Sequence, residues 1–365
     1  MTTAALAGTV LHEPAAPDHA LLTSALHIAL PGPVSVTRLR RITAGATKQT
    51  WLVDVVEHGE AGQLILQILP PSKVESMAGA AQRTLTPEQD TRIMQLALAQ
   101  GVPVPALVLK LESAHGLGHG QITRFVAGET LAPKILRDAR YTQARTRLTA
   151  QCAQALADTH RIAPGDATFL PRKSAVHQWQ DNRSQVDASG VRHPALEWGL
   201  RWIEERLAAQ VNLRPVPVHG DFRLGNFIVN DDGLAAVIDW ELAHLGDPMQ
   251  DLAWLCLRTW RFGGPGEVGG FGQRGELYAA YERSSGSAVN EQRVFFWEMA
   301  CQVRWAVMCL GMGLGAATAR EFGSTQGGTS VNRPAFSLEH SLIGRRMEEP
   351  LWDMIQLAKT RGDAL

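Results

Sequence analysis

Charge of either sign is in short supply. The formal net charge is −1 over 365 residues, with no long run of one sign. A nucleic-acid binder carries a basic field to neutralise phosphates, and none is present. Any phosphate on a ligand must therefore be met by backbone amides, a few cations or a metal. Cysteine is equally scarce. Cys152, Cys256, Cys301 and Cys309 form no CxxC pair, and in a chain of this length they read as buried thiols of a reducing compartment, not a disulfide framework. No Lys or Arg precedes Arg38, so the basic start of a secretory signal is missing. There is no long apolar run either. The most apolar region, 305–319, ends at Arg320 and is flanked upstream by Glu298 and Arg304, the pattern of a buried helix and not of a membrane span. Repeats and low-complexity blocks are absent. The expectation is a soluble, cytoplasmic protein with no nucleic-acid or membrane partner; the sequence leaves its oligomeric state open.

What is present is ample apolar material. Hydrophobic residues make up 45% and charged ones 19%, enough for a sizeable core. Residues 1–17, rich in Ala and Pro, read as a loose tail. A helical pattern over 18–30 ends at Pro31-Gly32. Strand-like stretches follow at 34–42, 50–56 and 63–69, then a helix over 87–100 and two further strands at 106–111 and 120–126. Strands around one helix predict a small α+β unit over 18–127. The remainder, 128–365, is mostly helical, with periodic segments at 141–160, 194–209, 275–285 and 291–310; the polar stretch 181–190 reads as a loop. Within it lies one compact β segment, 227–229 and 234–238, joined through Asn230-Asp231-Asp232-Gly233. Asp-Gly between two apolar runs signals a hairpin.

The chemistry concentrates around that hairpin, in His219-Gly220-Asp221-Phe222-Arg223-Leu224-Gly225-Asn226 and, after it, Ile238-Asp239-Trp240. One segment precedes the first strand and the other follows the second, so Asn226 and Asp239 meet at one end of the ribbon. An amide oxygen and a carboxylate converging there suit a hard cation such as Mg²⁺. Asp221, on the tight loop just before, is placed to accept a proton from a substrate hydroxyl, and Arg223 to neutralise a transferring phosphoryl group.

This arrangement resembles the catalytic loop of protein kinases, in which a basic residue follows the Asp by two positions and an Asn by five. Asp239 corresponds to the metal-binding Asp of the D-F-G motif, with Trp240 in place of Phe. The spelling H-G-D is similar to that of the aminoglycoside phosphotransferase and choline kinase superfamily. Together with Asp239-Trp240-Glu241 and Gly246-Asp247-Pro248…Asp251-Leu252-Ala253-Trp254, it looks like the branch whose relatives occur beside acyl-CoA dehydrogenases. The resemblance spans about 20–350 and is densest at 216–254. It implies an α+β, two-lobed, protein-kinase-like fold, with a small antiparallel sheet plus one helix and a larger, mainly helical lobe. It also implies ATP and Mg²⁺ as cofactors and a small-molecule hydroxyl as acceptor. In the family, His219 and Asp251 brace the catalytic loop.

The nucleotide side is placed by the same resemblance. Gly45, Ala46, Thr47 and Lys48 lie where the phosphate-covering loop belongs, and Thr123, Arg124 and Phe125 match the hinge whose backbone holds adenine. Here the sequence departs from the family, which carries Lys or Arg on the third strand: Gln67 stands there, and the partner Glu of the following helix aligns with Asp90. A Gln amide can donate to a phosphate oxygen without bringing charge, and charge-assisted bonds contribute about 1.5–3 kcal/mol against about 1 for neutral ones. A nucleotide-binding pseudokinase without transfer activity is the rival from another class. For an active kinase the branch implies a hydroxyacyl-CoA-like acceptor, with an aminoglycoside as runner-up. Aminoglycosides are polycations that want an acidic groove, and Arg140, Arg145 and Arg147 make one helical stretch basic.

Other patterns read as structure. Gly311-Met312-Gly313-Leu314-Gly315-Ala316 resembles a dinucleotide loop but follows a helix, so it reads as small residues at a helix end. His115 and His119 flank a glycine-rich turn, where HxxxH spacing does not align two metal ligands. Trp254, Trp260, Trp297 and Trp305 read as core. The glycine-rich segment 260–272 reads as a mobile substrate loop.

Overall fold

The computed structural model describes residues 16–42, 48–70, 84–210, 214–321 and 346–362, with positions 314–321 by backbone alone. The chain forms two compact units, one of 1–69 and 108–123, the other of 70–107 and 124–365.

The smaller unit is an antiparallel sheet with one helix. Helix α1 (His19–Ala29) is capped by Asp18, whose carboxylate accepts from the Ala20 and Leu21 amides, satisfying donors that the first turn leaves open. Strands β1 (Val34–Ile42), β2 (Gln49–Glu57) and β3 (Glu60–Ile68) follow. The β2–β3 turn is the pair His58-Gly59, both with positive φ, as a two-residue hairpin matching strand twist requires. Strands β4 (Leu107–Leu111) and β5 (Gly120–Arg124) complete the order β1-β2-β3-β5-β4. Leu22 and Leu26 of α1 share an apolar core with Trp51, Val53, Val55, Leu64, Leu66, Leu111 and Ile122. In the turn before β5, His115 Nδ1 accepts from the Glu112 amide at 2.9 Å and His119 Nε2 meets Ser113 Oγ at 3.1 Å. Among the described residues no group of three or more His, Cys, Asp or Glu could hold a metal.

Helix α2 (Pro87–Ala99) begins with Pro and a reciprocal capping box between Thr86 and Gln89. The sequence reading put it in the small N-terminal unit; its contacts put it in the larger one, where Ile93, Met94 and Ala97 join the main core. The larger unit continues with α3 (Ala132–Arg137), α4 (Thr142–Arg161), α5 (Ala175–Ser189) and α6 (Pro194–Arg206). The expected loop at 181–190 is thus the second half of α5. Its polarity is a solvated face, on which Arg183 pairs with Asp187 and reaches Glu197. Strand β6 (Val216–Val218) pairs with β9 (His244–Gly246), and β7 (Phe227–Asn230) with β8 (Gly233–Val237). Then come α7 (Pro248–Cys256), α8 (Arg274–Ser285), α9 (Glu291–Glu321) and α10 (Glu348–Arg361). Helix α9 runs past position 310, so the Gly311–Ala316 run lies inside it and not at its end. The architecture matches the expected class: an antiparallel sheet in the N-terminal part and a mainly helical C-terminal part.

The four cysteines are free and buried, and burial pushes the Cys301 thiol up to about 12. No described helix is long and apolar enough to cross a membrane.

Candidate active site

Strands β6 and β9 hold the ends of the segment that carries the motif, and the β7–β8 hairpin lies within it. The backbone first turns at Gly220. Its φ is +78°, and a Cβ there would sit 2.4 Å from the Leu242 carbonyl oxygen. Any side chain would collide with backbone, which is why this loop reads H-G-D. Buried Asp251, on α7, braces the turn. Its Oδ2 accepts from the His219 amide at 2.8 Å and its Oδ1 from the Gly220 amide at 2.9 Å. His160 Nε2 adds a contact at 3.2 Å, and His160 Nδ1 meets the Tyr281 hydroxyl at 2.8 Å. Burial pushes the Asp251 carboxyl up, but the His160 hydrogen bond, nearby charge and the Gly220 amide outweigh it and hold it below the usual range. The fully buried His219 is held below its ordinary value by desolvation. As a neutral ring its Nε2 donates to the Ile238 carbonyl at 3.2 Å, and its Nδ1 accepts from the Asp221 amide at 3.2 Å. His219 and Asp251, the residues expected to brace this loop, both hydrogen-bond to its backbone.

Asp221 stands at the centre. Asn226 Nδ2 donates to its carbonyl oxygen at 3.0 Å and to Oδ2 at 2.7 Å. Arg223 Nε donates to Oδ1 at 3.0 Å, and the Arg223 guanidinium lies 4.4 Å over the Trp260 ring. Both Asn226 contacts are to acceptors, so the amide orientation is fixed and Oδ1 is the oxygen left to offer a cation. The Ile238 amide donates to the Asn226 carbonyl at 2.9 Å, which brings Asp239 to the same end of the hairpin as Asn226. Asp239 has φ +68°, a region that short polar residues tolerate better than most. One amide oxygen and one carboxylate fit Mg²⁺, which keeps much of its shell for water and phosphate oxygens.

The remaining expected residues fall elsewhere. Buried Asp90 lies on α2 within electrostatic reach of His219. In the smaller unit Gln67 of β3 pairs with Thr50 of β2, and its Oε1 accepts from Gln121 at 3.0 Å. A neutral amide pair therefore occupies the third-strand position. Lys48 directly precedes β2. Gly45, Ala46 and Thr47 lie outside the described residues. The chain passes from the smaller to the larger unit between Thr123 and Arg124, and the Arg124 amide donates to the Ala106 carbonyl at 2.8 Å, while Phe125 is exposed.

Two sequence features look different in three dimensions. The glycines of 260–272 lie in close backbone contact with one another. The Gly266 amide donates to Gly270 and the Val268 amide to Gly272, and a Cβ on Gly266 would sit 2.5 Å from the Gly272 nitrogen. Two arginines of the basic stretch 140–147 are paired, Arg140 with Asp231 at 2.7 Å and Arg147 with Asp232 at 3.2 Å, while Arg145 donates to the Ile135 and Asp138 carbonyls. The stretch is less basic than its sequence suggests and argues less against a cationic acceptor.

Sequence reasoning also missed a contact. Trp254 is buried as expected, but its Nε1 donates to Asp221 Oδ1 at 2.8 Å. Trp254 follows Asp251 by three residues on α7, the spacing of one helix face, so a helix that braces the loop with Asp251 also presents position 254 to it.

The residue pattern of the phosphotransferase enzyme family matches 38–286. The chain is 29% identical over 274 residues to mouse acyl-CoA dehydrogenase family member 10. That stretch takes in 65% of this chain and 24% of the relative, so the chain spans about a quarter of the relative's length. Among solved structures it resembles a Ralstonia eutropha protein assigned as an aminoglycoside phosphotransferase, with a TM-score of 0.65 and 20% identity over 93% of this chain and 99% of that one. It also resembles an aminoglycoside 2′-phosphotransferase solved with GDP, with a TM-score of 0.59 and 14% identity over 93% and 98%. At such identities the structures speak for a kinase-like fold alone. The family pattern covers both the small sheet and the whole H-G-D to D-W-E segment, and the chain belongs to the phosphotransferase enzyme family.

Proposed function

We propose that this protein transfers the γ-phosphoryl group of ATP to a hydroxyl group of a small molecule. The observation that carries the reading is the Asp221 carboxylate, held by Asn226, Arg223 and Trp254 at the end of the hairpin that also delivers Asp239. In the proposed reaction the acceptor oxygen forms a bond to the γ-phosphorus as the bond to the β,γ-bridging oxygen breaks. ADP leaves with that electron pair, and the acceptor proton passes to Asp221. Arg223 keeps a positive charge beside the reacting centre. Asn226 and Asp239 would hold Mg²⁺, which when bound neutralises phosphate charge. The main chain at Thr123, Arg124 and Phe125 would receive the adenine, and Lys48 would supply a cation to the phosphates.

The likeness to a relative named for acyl-CoA dehydrogenases supports an acyl-CoA ester that carries a hydroxyl as acceptor; an aminoglycoside is the alternative. The neutral Gln67–Gln121 pair favours a second reading, a nucleotide-binding pseudokinase. ADP release from Mg-ATP, measured with 4-hydroxyacyl-CoA esters and with kanamycin, separates the three. Stimulation by the esters is expected. Stimulation by kanamycin alone reverses the acceptor, and release with neither supports the pseudokinase. Calorimetry adds the metal: Mg²⁺ is expected to tighten ATP binding in the wild type and not in Asp239→Ala, and an unchanged Mg²⁺ effect in the variant removes Asp239 from the site.

A further inference from the structure

Trp254 is almost wholly enclosed, yet its one polar atom is spent on the carboxylate at the centre of the site, 2.8 Å from Asp221 Oδ1. The ring is clamped on its other contacts. The Arg304 guanidinium lies 4.8 Å from it while Arg304 Nη1 donates to the Gly220 carbonyl at 3.0 Å. The Trp260 ring lies 5.4 Å away and itself contacts Trp305 at 4.8 Å. Trp260 also carries the guanidinium of Arg223, the second donor to Oδ1. The indole N–H therefore cannot swing off the carboxylate without disturbing the backbone turn or the Arg223 platform.

A carboxylate has about four acceptor directions, two on each oxygen. On Asp221, Trp254 and Arg223 take both on Oδ1, and Asn226 takes one on Oδ2. A single direction is left, on Oδ2. We propose that Trp254 is a positioning residue for phosphoryl transfer: its indole N–H, and not its bulk, fixes the rotation of the Asp221 carboxylate so that Oδ2 faces the acceptor hydroxyl. This rests on the phosphotransferase reading above. Arg223 brings charge and direction together, whereas the indole brings direction alone, so the two are separable by substitution.

The test uses the full chain and ADP release from Mg-ATP with water as acceptor, which requires no knowledge of the natural substrate. Trp254→Phe keeps a ring in place and deletes the donor. Loss of a hydrogen bond to a charged group predicts a fall in kcat of roughly ten- to a hundredfold, with the KM and calorimetric Kd for ATP unchanged. In an Asp221→Asn background the same substitution is expected to cost nothing further, because the carboxylate it orients is gone. An equal fall in both backgrounds, or no fall in the wild type, overturns the proposal. A second readout does not depend on activity or on the folding of Trp254→Phe. In ¹⁵N-indole spectra without nucleotide, Asp221→Asn should shift one indole N–H resonance, and a spectrum in which none moves also overturns the proposal. Wild-type protein that releases no ADP with any acceptor brings down the phosphotransferase reading itself, an outcome distinct from release that Trp254→Phe leaves intact.

Discussion

The two units differ in what they bury. The smaller one encloses an apolar core, and its buried polar residues, Gln121 and Thr123, are neutral. Every described Asp, Glu or His that is buried, namely Asp90, Asp158, His160, His219, His244, Asp247, Asp251 and Glu298, belongs to the larger unit. Buried charge is retained only where hydrogen bonds or counter-charges compensate for lost water. In the larger unit Asp251, His160 and His219 meet that cost together beneath the H-G-D loop, while Asp158, Asp247 and Glu298 do so in separate pairs with Arg161, Arg293 and Arg274. A site built from side chains leaves a strong sequence signature, whereas the nucleotide grip proposed for main chain at 123–125 leaves a weak one.

The largest effect that sharpens this contrast is expected at Asp221. A positioned base contributes about 10²–10⁴-fold, so Asp221→Asn should lower kcat by that much while sparing ATP affinity, because the asparagine keeps the shape but cannot take up the proton. Steady-state kinetics beside calorimetry read both quantities, and an active variant removes Asp221 from the chemistry.

Acid should distinguish the units next. His219 is held low by desolvation, and burial together with the Lys173 and Arg304 cations pushes His244 down to about 4. Each group takes up a proton in the unfolded chain near 6.5 before it does so in the folded one. Below that pH the unfolded state binds more protons, so stability falls as pH falls; for His244 the loss runs from about 6.5 down to about 4, at roughly 1.4 kcal/mol per pH unit, and His219 acts in the same direction. Asp251, also held low, adds its own loss only when pH drops through the carboxylate range. All the tryptophans but Trp51 lie in the larger unit, so urea unfolding followed by tryptophan fluorescence reports on it. His244→Gln should flatten the slope by one histidine's share, and an unchanged slope assigns the acid sensitivity elsewhere.

The smallest effect is expected on the nucleotide side. Gln67→Lys restores a cation and should raise kcat/KM for ATP by roughly tenfold at most. If Lys48 already supplies that charge, Gln67→Lys should be neutral or harmful and Lys48→Ala the damaging change. Inactivity of every variant together with the wild type returns the pseudokinase.

Much of the site was legible because its parts are close in sequence. Asp221, Arg223 and Asn226 sit on one loop, and a short hairpin returns the chain to Asp239, so spacing alone predicts their meeting. Gly220 was legible as part of a motif, though its necessity shows only against the Leu242 carbonyl. The polar stretch 181–190 reads as a loop because its apolar positions are few, and the Arg183–Glu197 ion pair that ties α5 to α6 appears only in three dimensions. The pairing of Arg140 and Arg147 with Asp231 and Asp232 spans some 90 positions of chain, beyond the reach of any local reading.

The sequence by itself determined the class of fold and the chemistry on offer: hydrophobic periodicity sets helices and strands, and local spacing sets which side chains a loop can present. Only the tertiary structure decided what those side chains are for. Whether a tryptophan is core or a donor to a carboxylate depends on which atom its one N–H meets, and whether glycines loosen a loop or let two backbones touch depends on what lies within a van der Waals radius of the missing Cβ. Both are distances between residues that packing brings together, and the order of residues along the chain does not encode them locally.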